Sequence, residues 1–266
     1  SLLADIGARA PIEEKEDCGF IYYGRHFRSA DGSTPPMLGG ALTPYGSISI
    51  LTLPADNGTW GVGLVASAKD TALRRFSDVD VWTRVVQGYP LAAHWLDGEA
   101  LDDGVAVMAK IEDRHRRFVI DGHPVATGVL PLADSWAATN PSVGRGISIG
   151  TIHAVALRDL LRDAPDDPVE TARRWHDVTM QTVEPWYRGT LAFDNGRLEE
   201  IHALLDGRPF EPGPEFEMTA ALQSAAGKDP EMLRRLISIA SVVKLPEEVV
   251  AEPGVFERII ELGQGW

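Results

Sequence analysis

One cysteine, Cys18, is all the thiol chemistry this chain carries. A lone cysteine excludes an internal disulfide and any zinc site built on cysteine ligands, and makes a reducing cytoplasm the expected setting. Basic residues are also scarce: 25 Lys and Arg stand against 39 Asp and Glu, a formal net charge of −14. Such a surface argues against nucleic acid and against anionic membranes as partners. No apolar run approaches membrane-spanning length, so no membrane span is expected. No serine sits in a G-x-S-x-G elbow, which leaves an α/β-hydrolase without support. The histidines are scattered, with no pair at metal spacing on one helix face, and no metal site is expected. Repeats and low-complexity segments are missing too.

What is present is ordinary for a globular protein: 266 residues, 44% hydrophobic, with seven Trp. That is enough for one large core or two modest ones. The stretch that organises the chain is 129–162, VLPLADSWAATNPSVGRGISIGTIHAVALRDLLR. Residues 128–132 read as a short buried strand, followed by a polar loop with one acid, Asp134. Asn140-Pro141 and three glycines, Gly144, Gly146 and Gly150, lead into a helical pattern. Ile147, Ile149, Ile152, Val155, Ala156, Leu160 and Leu161 carry its apolar face. A glycine-rich turn opening a helix presents unpaired N–H groups and a positive dipole end, which suits a phosphate or a delocalised anion. The alternative is a plain strand–loop–helix joint whose glycines only allow close packing.

Upstream, residues 1–17 read as an exposed lead-in. Residues 19–28 (GFIYYGRHFR) alternate aromatic and polar groups as a strand does. Residues 30–46 form a Pro- and Gly-rich loop. Residues 47–53 and 59–67 flank Asp56-Asn57-Gly58, and an Asn-Gly turn predicts a β-hairpin. Helical patterns cover 69–76 and 79–88, the second capped by Ser77-Asp78. Residues 105–111 and 117–120 are candidate strands, the latter turning at Asp121-Gly122. A helix starts at Asp167-Pro168, carries Trp175, and is bent or ended by Pro185. Shorter helices are expected over 197–205, 216–225, 230–242 and 254–262. The fold class is therefore α+β, a mixed or antiparallel sheet with an all-helical C-terminal region. The expected divisions are a sheet with covering helices over 1–128, the strand–loop–helix segment 129–164, and a helical region 165–266.

Other candidate chemistry is thinner. Gly61-Val-Gly63-Leu-Val-Ala66 matches a dinucleotide fingerprint but lies inside a hairpin strand rather than between a strand and a helix, so it is set aside. Residues 110–117 (KIEDRHRR) are either a solvated charge cluster or an anion contact. Tyr23 and Arg25 share one strand face, with Tyr22 on the other.

The sequence Leu132-Ala133-Asp134, then Asn140-Pro141-Ser142-Val143-Gly144-Arg145-Gly146 and a helix, resembles the second flavin-binding motif of the p-hydroxybenzoate-hydroxylase-like flavoproteins. That superfamily includes flavin-dependent monooxygenases, halogenases and geranylgeranyl reductases. Its pattern is an apolar strand, Gly-Asp, a loop, then Pro-x-x-Gly-x-Gly opening a helix; here Ala133 stands where the family has glycine. The segment from Gly19 through the hairpin also resembles the family's substrate-domain sheet, so the resemblance covers about residues 15–165. It implies FAD as cofactor, with NAD(P)H as reductant and a small organic molecule as substrate. Asp134 would bond a ribityl hydroxyl and Pro141 would lie against the ring edge. Gly144, Arg145, Gly146 and Ile147 would place helix N–H groups near the flavin's pyrimidine end. Tyr23 and Arg25 are the substrate-side candidates. The family's strand–GxGxxG–helix for the ADP half of FAD does not occur in this chain. The resemblance thus implies the C-terminal, substrate-binding and flavin-closing portion of a longer FAD-dependent oxidoreductase, most readily a monooxygenase. The N-terminal FAD-binding region would be missing, and the portion alone inactive and weak or null in binding FAD. The alternatives are a non-catalytic small-ligand module, a prenyl-chain reductase or a halogenase.

Overall fold

A computed structural model describes residues 2–163 and 166–264. The strands are β1 (Ile12–Asp17), β2 (Phe20–Arg28), β3 (Leu42–Tyr45), β4 (Ile48–Pro54), β5 (Thr59–Ser67), β6 (Glu99–Ala100), β7 (Ala106–Met108), β8 (Glu112–Arg117), β9 (Val119–Ile120), β10 (His123–Pro124) and β11 (Ala137–Ala138). The helices are α1 (Leu2–Asp5), α2 (Val79–Gln87), α3 (Pro90–Ala93), α4 (Gly146–Arg162), α5 (Pro168–Thr182), α6 (Glu184–Asp206), α7 (Pro214–Ala226), α8 (Pro230–Ala240), α9 (Pro246–Val250) and α10 (Val255–Leu262). The class is α+β, with antiparallel sheets and a helical C-terminal region. Contacts gather the chain into two compact units. One comprises 17–111 with 197–211, the other 1–16, 112–196 and 212–266.

The first unit is an antiparallel sheet in the order β3-β4-β5-β2, with β6 and β7 sharing the far edge of β2. The hairpin between β4 and β5 closes at Asn57 and Gly58, whose φ values of 54° and 67° are the paired left-handed conformations this turn demands. Strand alternation then sorts the side chains. Tyr23 faces across to Leu64 and Phe27 to Trp60 on one face; Tyr22 pairs with Val65 on the other. The first face is covered by Phe76, Trp82, Val86, Ala92 and Trp95. The indoles are satisfied within it: Trp82 Nε1 donates to the Tyr23 carbonyl at 2.8 Å, and Trp60 Nε1 to the Trp95 carbonyl at 2.7 Å. The second face is closed by Leu198 and Ile201. Arg197 donates from Nη2 to the Gly46 and Ile48 carbonyls, tying this helical stretch to the turn between β3 and β4.

In the second unit β8 is the middle strand of a small sheet, β1-β8-β11, and β9 and β10 form a hairpin through Asp121-Gly122. Trp136, Val183 and Tyr187 form one core with Ile149 and Ile152 of α4. Residues of α7 to α10 form another, around Leu222, Ala225, Val249 and Ile259. There Gly263 comes so close to Ala221 that a Cβ would stand 2.7 Å from its methyl. No helix among the described residues is long and apolar enough to cross a membrane.

Several expectations are corrected. Residues 128–132 are not a strand. Gly128 turns at φ 75°, Pro131 offers no N–H, its carbonyl accepts from Trp175 Nε1, and the Leu132 N–H goes to Ser135 Oγ. Pro131 and Leu132 thus have no donor to give a ladder. The lead-in contains a fully exposed strand, β1. Residues 112–117 of the charged run become β8, with Asp113 and His115 buried and Arg114 and Arg116 on the opposite face. Residues 71–77 form a 3₁₀ rather than an α-helix, and the helix expected over 197–205 is the second half of α6. Pro185 stands in the first turn of α6, where its missing N–H costs nothing, after α5 has ended at Thr182. On α4, Ile147, Val155 and Leu161 are exposed, so its apolar face is narrower than the pattern implied.

Candidate functional site

The organising stretch begins with a 3₁₀ turn, Ala133–Ser135. Ser135 Oγ accepts the Leu132 N–H at 2.7 Å, and Arg116 Nη1 reaches the carbonyls of Asp134 and Ser135 at 3.3 and 3.2 Å. The backbone of Asp134 is therefore fixed while its carboxylate is exposed. Ala133 has φ 49°, a conformation that favours glycine. The position where the family pattern has glycine thus keeps a glycine's backbone. The next segment pairs as β11 with β8, Ala137 opposite His115. A second 3₁₀ turn, Pro141–Val143, ends at Gly144 with φ 64°, and α4 opens at Gly146.

No side chain caps α4. Its first N–H groups and the positive end of its dipole are therefore left for solvent or a ligand. Added methyls at Gly144 or Gly146 would meet nothing within 4 Å, so the surface there is open. Ile147 is 89% exposed beside it. Arg145 is half-buried, its guanidinium 5.7 Å from the Trp186 ring. The first turn and the helix meet directly: a Cβ on Gly150 would stand 3.2 Å from that of Ala133. Asp134, Pro141, Gly144, Arg145, Gly146 and Ile147 are thus carried by one local framework. Tyr23 and Arg25 belong to the other unit. Tyr23 is 3% exposed and packs edge-on to Phe76. Arg25 lies over Phe27 and Trp82, donates to the Asp102 carbonyl at 3.1 Å, and leaves Nε buried without a partner.

Three side chains behind the turn were given no role by the sequence reading. His153 is 1% exposed and stacks on Trp175 with ring centroids 4.4 Å apart. Burial lowers its pKa to about 4, so it is neutral near pH 7. Its Nδ1 accepts the Ala133 N–H at 3.1 Å, which puts its own proton on Nε2, directed at Thr179 Oγ1 2.9 Å away. Asn140 and Asp194 are the other two. Asn140 Nδ2 donates to Asp194 Oδ2 at 2.9 Å, and Ser142 Oγ to Oδ1 at 2.7 Å. The available signal was spacing. His153 follows Gly146 by two helical turns, which places it on the same face of α4.

The remaining clusters are structural. The arginines of β8 pair with acids: Arg116 with Glu13 at 2.7 Å and Arg117 with Glu14 at 3.6 Å. In the sheet unit, Ser67 Oγ lies 2.9 Å from His202 Nε2, the spacing of a nucleophile and its base. The polarity is reversed, however. The Lys69 ammonium can only donate, so at 3.3 Å it makes His202 Nδ1 the acceptor and leaves the ring proton on Nε2, facing the serine.

No protein-family model and no curated protein sequence matches the chain. Solved structures do. The fold is shared with part of solved structures that include a flavin-dependent halogenase and an oxygenase. A flavin-dependent brominase, Bmp2, is 17% identical with a TM-score of 0.51, over 95% of this chain and 57% of the brominase. A mutant of 2-methyl-3-hydroxypyridine-5-carboxylic acid oxygenase is 16% identical with a TM-score of 0.52, over 74% of this chain and 51% of that one. The chain thus spans little more than half the length of these structures.

Proposed function

We propose that this chain is the substrate-binding and flavin-closing portion of an FAD-dependent oxidoreductase, most readily a monooxygenase of a small organic molecule. The observation that carries the reading is the turn. An uncapped helix start, an open surface at Gly144 and Gly146, and an exposed Asp134 share one framework, with a glycine conformation preserved at Ala133. These residues fit a flavin. The N–H groups of Gly146 and Ile147 would favour the negative charge of a reduced ring, and Asp134 would accept from a ribityl hydroxyl. Pro141 would bear on the ring edge without offering a donor. Bound FAD would supply the redox chemistry, with NAD(P)H as reductant and O2 as oxidant. The chain's own residues would orient the ring and exclude water. Of the two substrate-side candidates, Arg25 is the stronger, since Tyr23 is committed to the core while Arg25 Nε has no partner.

The test is a backbone amide map of the chain on titration with FAD. The shifts are expected to concentrate at Gly144, Gly146, Ile147 and Ser148, and to shrink in Asp134→Ala. Shifts confined elsewhere at up to about 1 mM FAD, a Kd corresponding to roughly −4 kcal/mol, would falsify the flavin reading. Anaerobic reduction of bound flavin followed by oxygen distinguishes the rivals. Rapid reoxidation supports the oxygenase, and reduction without oxygen reactivity supports the reductase.

A further inference from the structure

Three glycines interrupt one face of the sheet in the first unit. Gly63 of β5 pairs directly with Gly24 of β2, and Gly61 pairs with His26. Alternation puts these residues on the face that carries Tyr22, opposite the one that carries Arg25. Leu198 and Ile201 pack on that face around Tyr22 and Val65. Over the glycines nothing replaces them. Within 4 Å an added Cβ at Gly24 would meet only the Val62 carbonyl, at 3.8 Å, and one at Gly63 only the Leu51 side chain. The peptide planes are bare there, between Leu51 of β4 and Ala106 of β7. Glycine inside a strand gives up packing, and is found where another molecule or backbone comes close. The rim is apolar: Leu53, opposite Gly61, and Met108, opposite Tyr22, are both exposed.

His26 stands at the end of this floor. Asp102 Oδ2 lies 3.0 Å from its Nδ1 and also accepts its backbone N–H at 3.1 Å. The hydrogen bond from His26 holds the Asp102 carboxyl below the usual carboxylate range, so near pH 7 it is ionised and can only accept. The neutral ring therefore carries its proton on Nδ1 and a lone pair on Nε2. Nε2 has no hydrogen-bond partner among the described residues. It lies 3.7 Å from where a Gly61 Cβ would stand, so the ring leans over the glycines.

We infer that this glycine floor binds a flat aromatic molecule bearing a hydroxyl, its ring on the Gly24 and Gly63 backbone and its hydroxyl donating to His26 Nε2. The bare peptide planes select flatness, and the apolar rim, with a thioether at Met108, selects an aromatic edge. The lone pair on Nε2 selects a donor and has nothing to offer an ether. Asp102 is a positioning residue, which fixes the tautomer without touching the ligand. The site lies across the sheet from Arg25 and uses no residue of the α4 turn, so it does not rest on the flavin reading.

The test is a map of backbone amide and imidazole signals on titration of the chain with umbelliferone, a flat hydroxylated ring system. Shifts are expected at Gly24, Gly61, Gly63 and the His26 ring. The methyl ether of umbelliferone, which keeps the ring and loses the donor, should bind about tenfold more weakly, the loss of one hydrogen bond. Gly24→Val should abolish binding and leave the unfolding midpoint at or above that of the wild type. A branched residue suits a strand, and the added Cβ meets nothing closer than 3.8 Å. His26→Phe keeps a ring without an acceptor and should bind umbelliferone and its ether alike. Shifts elsewhere or none up to about 1 mM probe, equal affinity of the wild type for the two probes, or a folded Gly24→Val that still binds overturns the inference. Should Gly24→Val not fold, His26→Phe decides: a wild-type preference for umbelliferone in that variant counts against the site. FAD shifts at Gly144, Gly146 and Ile147 with no umbelliferone shifts on the sheet overturn this inference and leave the flavin reading standing.

Discussion

Ala133 sits at φ 49°, where a Cβ crowds the following carbonyl at a cost of about 1–2 kcal/mol. Ala133→Gly is accordingly expected to stabilise the chain by up to about 1 kcal/mol, less the entropy a glycine adds to the unfolded state, as read by urea unfolding. Ala133→Val should destabilise by roughly 2 kcal/mol, because a branched side chain tolerates this conformation poorly. A valine as stable as the wild type would mean that the turn is not held as described.

Two buried groups behind the same turn titrate with opposite effect. The His153 pKa is lowered to about 4, so its contribution is present above its unfolded value of 6.5 and is lost as pH falls through 4. The Asp194 pKa is raised from 3.8 to about 6, so its contribution is full below 3.8 and is lost as pH rises through 6. Each amounts to roughly 3 kcal/mol at most, and the two slopes oppose one another over the same interval. Unfolding curves across this range should be shallow in the wild type. In Asp194→Asn stability should rise with pH, and in His153→Gln it should fall. Parallel pH profiles for the two variants would contradict the assignments.

At the scale of elements, the sequence was most legible where one local rule dominated. Asn57-Gly58 needs two left-handed residues, and the hairpin follows. Asp167-Pro168 starts α5 as a capping residue before proline should, with the Asp167 carboxylate accepting the Val169 N–H at 2.9 Å. The face assignment of Tyr23 and Arg25 against Tyr22 also holds, because alternation across a strand is obligatory. Legibility failed where tertiary partners decide. β8 alternates Asp113 and His115 against arginines, a pattern with no apolar residues to reveal that one face is inside. His153 and Asp194 matter through contacts with residues 20 and more positions away, which no local pattern encodes. The packing that covers the sheet carries its own prediction. Trp82 is fully buried and its indole N–H is bonded to the Tyr23 carbonyl. Trp82→Ala should cost about 3–5 kcal/mol in thermal or denaturant unfolding. A cost below about 1 kcal/mol would be incompatible with that burial.

For the whole molecule, the relevant fact is extent. The chain spans 57% and 51% of two structures whose fold it shares, and among its described residues Gly61 and Gly63 lie within β5 rather than at a strand-to-helix turn. On the proposed reading it grips only the redox end of FAD. The isolated chain is therefore expected to be colourless on purification and to bind FAD with a Kd no tighter than about 10 μM, some −7 kcal/mol. Stoichiometric yellow flavin carried through purification would contradict the proposed division of labour.

The start of α4 has one further implication. What it offers is main-chain amide, supplied by any residue except proline, and the open space around Gly146 sets little demand on size. Recognition written in the peptide backbone leaves almost no trace in amino-acid identity. A turn of this kind can persist while the sequence around it drifts beyond the reach of alignment, and substitutions at Gly146 should be far better tolerated than those at Asp194, which lies out of sight behind it.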